Sequence, residues 1–453
     1  MSDRATRAPL AAAVGLVLAD SSVVVLALPD IYRELDVSVA AVTWVLVSFN
    51  LVLALAAVPA AFASAVVGPT RLTVAGLVVF ALASLACGLA DSIGVLLVAR
   101  CAQALGGAAA ICAALELLPS VVGSERRAAT AWASAGAAGA ALGPGIGGLM
   151  TELISWQSIF LAQVPATLAL ALALLPGAAR EGRTRSPLDQ RSLRPHLAAN
   201  VALALVSAAL AAALFLVVLL LIEGWRLTPI AAAAAVTVMP ICALLAAAPA
   251  RRVRSVAARA AAGVILIAGG LAALGLLPRA EVALTFPPQA LIGAGLALTL
   301  SALTEAALAG RSPQALHGGW TIAARHAGVV AGLLVLTPVF TADLQTERER
   351  AQLAGTAALL DASIPPGAQL ELANRIAERI EQEGDKVPIL GPAFEPLPAD
   401  PAERAATAAL RTEIEDEVDR AATHAFSGSF LIAAAFALAA LIPIALARRR
   451  IAL

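Results

Sequence analysis

Twelve charge-poor apolar runs, each close to the length of a membrane-crossing helix, constrain this chain more than any other feature. They lie near residues 9–29, 41–62, 72–90, 93–118, 129–150, 158–176, 198–222, 229–250, 259–277, 284–308, 317–340 and 427–447. A hydrocarbon core about 30 Å thick needs about 20 apolar residues per helix, because no water is there to bond free backbone groups. Composition agrees: 60% of the 453 residues are hydrophobic and 14% charged, against about 25% charged in an ordinary soluble chain. That balance speaks against a soluble enzyme. The first run follows Arg4 and Arg7 as a secretory leader would, but it is too long, carries Asp20 and leads into further spans, so it reads as retained.

Arginine placement orients the spans. With both termini in the cytoplasm, 18 arginines fall in inside loops and three, Arg33, Arg226 and Arg279, in short outside loops. This is the expected positive-inside bias, and a missed span would scramble it. The formal balance of 31 basic against 31 acidic residues is therefore a basic inner face cancelling an acidic outer one. The localisation implied is an inner or plasma membrane, multi-pass.

An all-α membrane protein of two six-helix halves follows. Residues 1–176 form the first half, 177–197 a basic cytoplasmic linker, 198–340 helices 7–11, 341–424 an acidic extracytoplasmic segment, and 425–453 helix 12 with a cytoplasmic tail. The outer segment holds 17 acidic and 8 basic residues, Lys386 among them. Two stretches within it, DLQTERERAQLAGTAALL and GAQLELANRIAERIEQEG, read as helices, followed by a connector from Pro388 to Pro398. Asp400, Pro401 and Glu403 make a helix start: a capping side chain, proline at the first position and a carboxylate near the amide end. The stripe Leu410, Ile414, Val418 and Ala421 then predicts a helix packed on the outer rim and running on into helix 12; a protein partner docked at 341–424 is the sharper alternative.

Paired six-helix halves suit a transporter that exposes a central site to each face in turn. The fifth span carries Gly139-Ala-Ala-Leu-Gly143-Pro144-Gly145-Ile146-Gly147-Gly148, which fits GxxxGPxxGG at every fixed position. Its glycines admit another helix backbone, and Pro144 removes an amide donor and bends the helix. This resembles the antiporter motif of the major facilitator superfamily, in its drug:proton antiporter branch. Asp20-Ser-Ser-Val-Val-Val-Leu-Ala-Leu-Pro29 is similar to the first-helix signature of the fourteen-helix branch, and Arg100-Cys-Ala-Gln103 with Gly106 and Gly107 to the intramembrane arginine motif. Trp156-Gln-Ser-Ile-Phe160 with Pro165 resembles the family's opening to helix 6, and Arg325-His326-Ala-Gly328 with Gly332 the corresponding helix of the second half. Two departures stand out. The two extra helices of the fourteen-helix branch are missing, and the gate-loop pattern GxLaDrxGrrr is reduced to Gly68 and Arg71, with Val66 in place of the aspartate.

Ionisable groups inside lipid cost about 2.5–3.5 kcal/mol each at a helix centre, so each calls for a role. Asp20 and Arg100 sit roughly 16 Å and 20 Å from the cytoplasmic edge at 1.5 Å per residue, close enough to meet. They are the expected proton-coupling pair; a permanent structural ion pair is the alternative. Asn50, Gln103, Glu116, Glu305, Arg325 and His326 are the expected cavity and substrate residues. Glu116 and Glu305 read as interfacial groups beside Arg126 and Arg311, whereas His196, His317 and His424 lie at helix ends and point to no role. Cys87, Cys101, Cys112 and Cys242 lack metal or disulfide spacing, and phosphate loops and catalytic motifs are absent. No catalytic residue, metal, cofactor or nucleic-acid partner is expected. The resemblance implies proton-coupled efflux of a small amphipathic or lipophilic compound, with protons, substrate and the lipid bilayer as partners. The alternatives are a lipid or metabolite exporter using the outer segment, and a non-transporting scaffold or receptor of the same fold.

Overall fold

A computed structural model describes residues 3–180, 193–250, 252–311, 313–383 and 388–451, and among these it contains helices and no strand. Residues 181–192 of the expected linker and Lys386 lie outside them. Helix α1 is Asp3–Val23, continued by a 3-10 turn at Val24–Ala27 into Leu28–Glu34. The first half is completed by α2 (Val39–Val67), α3 (Pro69–Gly88), α4 (Ile93–Val122), α5 (Glu125–Leu153) and α6 (Trp156–Arg180). The second half has α7 (Leu197–Leu219, ending in a π-helical turn at Leu220–Gly224), α8 (Pro229–Val236 and Val238–Ala250), α9 (Val256–Gly275), α10 (Phe286–Leu308) and α11 (Gln314–Asp361). Outer helices α12 (Pro366–Glu383) and α13 (Pro401–His424) precede α14 (Ser427–Ala439 and Leu441–Ile451).

Among the described residues, eleven helical segments are long and apolar enough to cross a membrane. The remaining one, α5, has 29 residues, about 43 Å of helix, but glycine, alanine and charge at its start dilute its hydropathy. With it the spans number twelve. Leu55, Leu82, Val98, Leu172 and Leu245 are largely exposed on the flanks of the bundle, where lipid replaces water as the favourable neighbour.

Small residues build both halves the same way. A Cβ added to Gly139, Gly143 or Gly147 of α5 would collide with the backbone or side chain of Gly15, Ser22 or Val23 in α1. In the second half, Gly328 and Gly332 of α11 press on the backbone of Ala204 and Ala208 in α7. Gly76 of α3 meets Gly106 of α4 so closely that a Cβ would lie 2.6 Å from the Gly106 carbonyl oxygen, and Gly263 of α9 meets Gly295 of α10 at the same 2.6 Å. Helices 1 and 5 thus repeat as 7 and 11, and 3 and 4 as 9 and 10: close backbone approach supplies the packing that hydrophobic burial cannot supply in lipid. Between α2 and α3 the chain turns at Gly68 with φ 102°, a conformation that only glycine adopts without strain.

The halves touch at both ends. At the end bearing Arg71, Arg254 and Arg311, Gly319 packs on Ala57 and Ala61, and Gly318 on Leu115. At the acidic end, Tyr32 donates to Glu223 and Arg33 donates to the same carboxylate at 2.6 Å. Glu152 of α5 accepts from the Ile230 amide at 2.6 Å, filling a vacant position at the start of α8.

The acidic outer segment differs from expectation in its joints. Helix α11 runs through residue 340 without interruption for 48 residues, carrying the chain well beyond the bilayer. Helix α13 stops at Ala425 and Phe426 before α14 begins. Leu410 and Ile414 of the predicted stripe are buried with Leu359, Leu372, Leu390 and Phe394 in a separate small core. Asp400 caps α13 through the Ala402 and Glu403 amides at 3.0 and 2.9 Å. Two further contacts tie this segment to the turn after α7: an Arg226–Asp419 ion pair and a hydrogen bond from Trp225 to Thr423 at 2.9 Å.

Candidate functional site

Asp20 and Arg100 meet as an ion pair, and both side chains are fully buried. Helices α1 and α4 bring them together because α1 packs along α5 by its small residues, leaving its opposite side to α4 and α6. Arg100 lies seven residues after Ile93, about 10 Å inside the acidic end. Its Nη1 also donates to Gln103 Oε1 at 2.5 Å and its Nε to the Val45 carbonyl at 3.2 Å. The guanidinium carbon stands 4.2 Å from the Phe49 ring centre and 5.6 Å from that of Phe160. Rings on two sides and acceptors along its edge hold the cation where no water stabilises it.

Two residues that sequence reasoning missed complete the cluster. Gln163 donates to Asp20 Oδ1 at 2.9 Å and accepts from Gln103 Nε2 at 2.9 Å. Ser84 of α3 accepts from Gln103 at 2.8 Å and donates to the Phe80 carbonyl at 2.7 Å. A signal for Gln163 was present: Trp156, Phe160 and Gln163 fall at i, i+4 and i+7 on one helical face. That face backs the ion pair along its length, since Trp156 anchors the start of α6 to Glu34 at 2.7 Å and Phe160 covers Arg100.

Donors from α4 and α6 converge on Asp20. As a carboxylate, Asp20 accepts from Arg100 and Gln163, with Gln103 at 3.3 Å. Arg100 has two neutral acceptors besides, Gln103 and the Val45 carbonyl. Arg100 Nη2 is buried without a hydrogen-bond partner, so the pair carries an unmet donor, and unmet groups are what make buried polar networks expensive.

The other candidates separate into distinct places. Asn50 and His326 meet across the halves, with Asn50 Oδ1 2.6 Å from His326 Nδ1. Arg325 is partly buried beside them. Glu116 accepts from Ser64 at 2.8 Å and Glu305 pairs with Arg259 at 2.6 Å, both neighbours on adjacent helices. The Arg126 side chain lies outside the described residues, and Arg311 instead donates to the Arg194 carbonyl at 3.0 Å. The motif residues Gly139, Gly143 and Gly147 pack on α1 within their own half; Gly148 meets Pro229 and Ala233 of α8 across the halves; Pro144 is buried inside α5. His196 is a working residue: its Nδ1 accepts from the Ala199 amide at 3.1 Å and caps α7.

Comparison with known proteins agrees with this arrangement. The chain is 36% identical over 153 residues to the multidrug resistance protein Stp of Mycobacterium tuberculosis, covering 33% of this chain and 28% of that one. It is 34% identical over 234 residues to the methylenomycin A resistance protein of Streptomyces coelicolor, covering 50% and 47%. Over 168 residues it is 34% identical to the tetracenomycin C resistance and export protein of Streptomyces glaucescens, covering 36% and 31%. The match thus spans about a third to half of the length of these curated relatives. Among solved structures, a bacterial homologue of the human lysosomal transporter Spinster superposes with a TM-score of 0.62 at 16% identity, over 98% of this chain and 97% of that one. The proton:xylose symporter XylE gives 0.58 at 12% identity, over 73% and 86%. The family model described as Major Facilitator Superfamily matches residues 10–356, so this multi-pass membrane protein belongs to the major facilitator superfamily.

Proposed function

We propose that the chain is a secondary active transporter of the cell membrane, both termini cytoplasmic, exporting a small amphipathic or lipophilic compound in exchange for protons. The observation that carries this is the fully buried Asp20–Arg100 ion pair, held among the polar side chains of Gln103 and Gln163. Keeping an ionisable group inside a bilayer is costly, and carrying a proton across it is a role that accounts for that cost. Curated relatives named for multidrug resistance and drug export support the efflux direction. Alternating access would use the two contacts between the halves, one at each end, opened in turn. The outer segment reads as a packed cap: it has its own apolar core and is tied down at Arg226 and Trp225.

The test is Asp20→Asn in proteoliposomes with an imposed pH gradient. Efflux of a fluorescent lipophilic compound is expected to lose its response to the gradient while the protein still inserts and elutes as a single species. Unchanged gradient-driven efflux would sink proton coupling at Asp20. Because asparagine leaves Arg100 without its counter-ion, the double variant Asp20→Asn with Arg100→Gln guards against a folding artefact and is expected to be equally unresponsive.

A further inference from the structure

Asn50 of α2 and His326, about a quarter of the way along α11, meet across the halves, and their hydrogen bond fixes the position of a proton. The Asn50 amide nitrogen donates to the Leu46 carbonyl at 2.8 Å, which turns Oδ1 toward His326 Nδ1 at 2.6 Å. Oδ1 can only accept, so Nδ1 carries the hydrogen and Nε2 of the neutral ring is left as a lone-pair acceptor. That nitrogen is buried without a partner, in a residue only 6% exposed. A buried acceptor left empty costs stability that a bound donor would return.

Arg325 stands next to it with a permanent charge and no hydrogen-bond or ion-pair partner among the described residues. It lies seven residues after Gly318 and three after Ile322, on the face of α11 that meets Leu115 of α4 in the other half. Gly332, seven residues further on along the same face, packs on α7, so Arg325 lies between a contact to the first half and a contact to the second. Arg325 therefore projects toward the space between the halves. The acidic groups of the membrane region are engaged elsewhere: Asp20 by Arg100, Glu305 by Arg259, Glu223 by Tyr32 and Arg33, and Glu116 as acceptor from Ser64.

Among the described residues, this place combines a cation without a partner, Arg325, with an empty acceptor, His326 Nε2. We infer that Arg325 and His326 form a substrate site selective for lipophilic weak acids, compounds that present an anionic oxygen to Arg325 and a hydroxyl or N–H donor to His326 Nε2. This rests on the transport reading above and names its substrate class. In a low-dielectric site an unpaired guanidinium attracts a carboxylate strongly and rejects a lipophilic cation, so one residue supplies both selection and exclusion.

Isothermal titration calorimetry on detergent-purified protein tests this without any gradient. β-Naphthoate is expected to bind about tenfold tighter than its uncharged methyl ester, and tetraphenylphosphonium more weakly than either. Arg325→Gln should abolish the naphthoate preference and leave the ester unchanged, whereas Arg325→Lys, which keeps the charge, should preserve it. His326→Phe should weaken β-naphthol but not its methyl ether. Equal binding of naphthoate and ester, tighter binding of tetraphenylphosphonium, no naphthoate binding, or a preference that survives Arg325→Gln overturns the proposal. Failure of gradient-driven efflux bears only on the transport reading, since binding is measured at equilibrium.

Discussion

His196 shows how much a single side chain can do at a helix end. The cap it provides for α7 needs a lone pair on Nδ1, which the protonated ring lacks. Burial first, and the charge of Arg311 second, push its pKa below the ordinary 6.5. The unfolded chain therefore takes up the proton first. The stabilisation is complete above the ordinary value and is lost as pH falls through it toward the lowered folded value. The thermal unfolding midpoint of the wild type is expected to fall from about pH 7 to pH 5 more steeply than that of His196→Asn, which caps at any pH. Parallel profiles would refute this role. At this scale legibility follows energetic cost. Asp20 and Arg100 stood out because ionised groups in lipid demand partners, whereas Gln163, Ser84 and His196 are neutral polar residues whose use depends on a neighbour from elsewhere in the chain.

At the scale of elements, the glycine contacts make opposite demands on residues two turns apart. A Cβ at Gly139 would run into the Gly15 carbonyl, backbone that cannot move without displacing α1. A Cβ at Gly145, in the same helix, meets nothing within 4 Å. Gly139→Ala is expected to lower the unfolding midpoint in detergent and impair efflux, by about 1–3 kcal/mol as for an overpacked core. Gly145→Ala should be neutral or stabilising by about 0.5–1 kcal/mol, because alanine restricts the unfolded chain and favours helix. Equal responses of the two variants would show that α1 and α5 do not pack this closely. The helices themselves were legible by run length and charge, but the continuation of α11 past residue 340 was not. Charged residues from Asp343 onward mark where the chain leaves lipid, and hydropathy reports that change of surroundings without reporting whether the backbone stops being helical.

Across the whole molecule, Glu223 joins the halves at the acidic end by accepting from both Tyr32 and Arg33. Arg33 is 46% exposed, so water weakens its share of the contact, and the pair is worth about 1 kcal/mol at most. Glu223→Gln should therefore shift the population open at that end by a factor of about five. Double electron–electron resonance between spin labels at Asp36 and Arg279, in a cysteine-free background, should show a larger long-distance fraction; an unchanged distribution would mean that the carboxylate holds nothing shut. Span number, the doubled architecture and the pairing of Asp20 with Arg100 were readable from the chain alone, because the bilayer imposes length and a penalty for lone charges before any tertiary contact exists. Only the folded structure decided that α6 backs the ion pair with Gln163, that Asn50 and His326 bridge the halves, and that Arg325 has no counter-ion among the described residues. Those outcomes depend on which helix faces meet, and in a bundle joined by small residues many pairings satisfy the bilayer equally until close packing selects one.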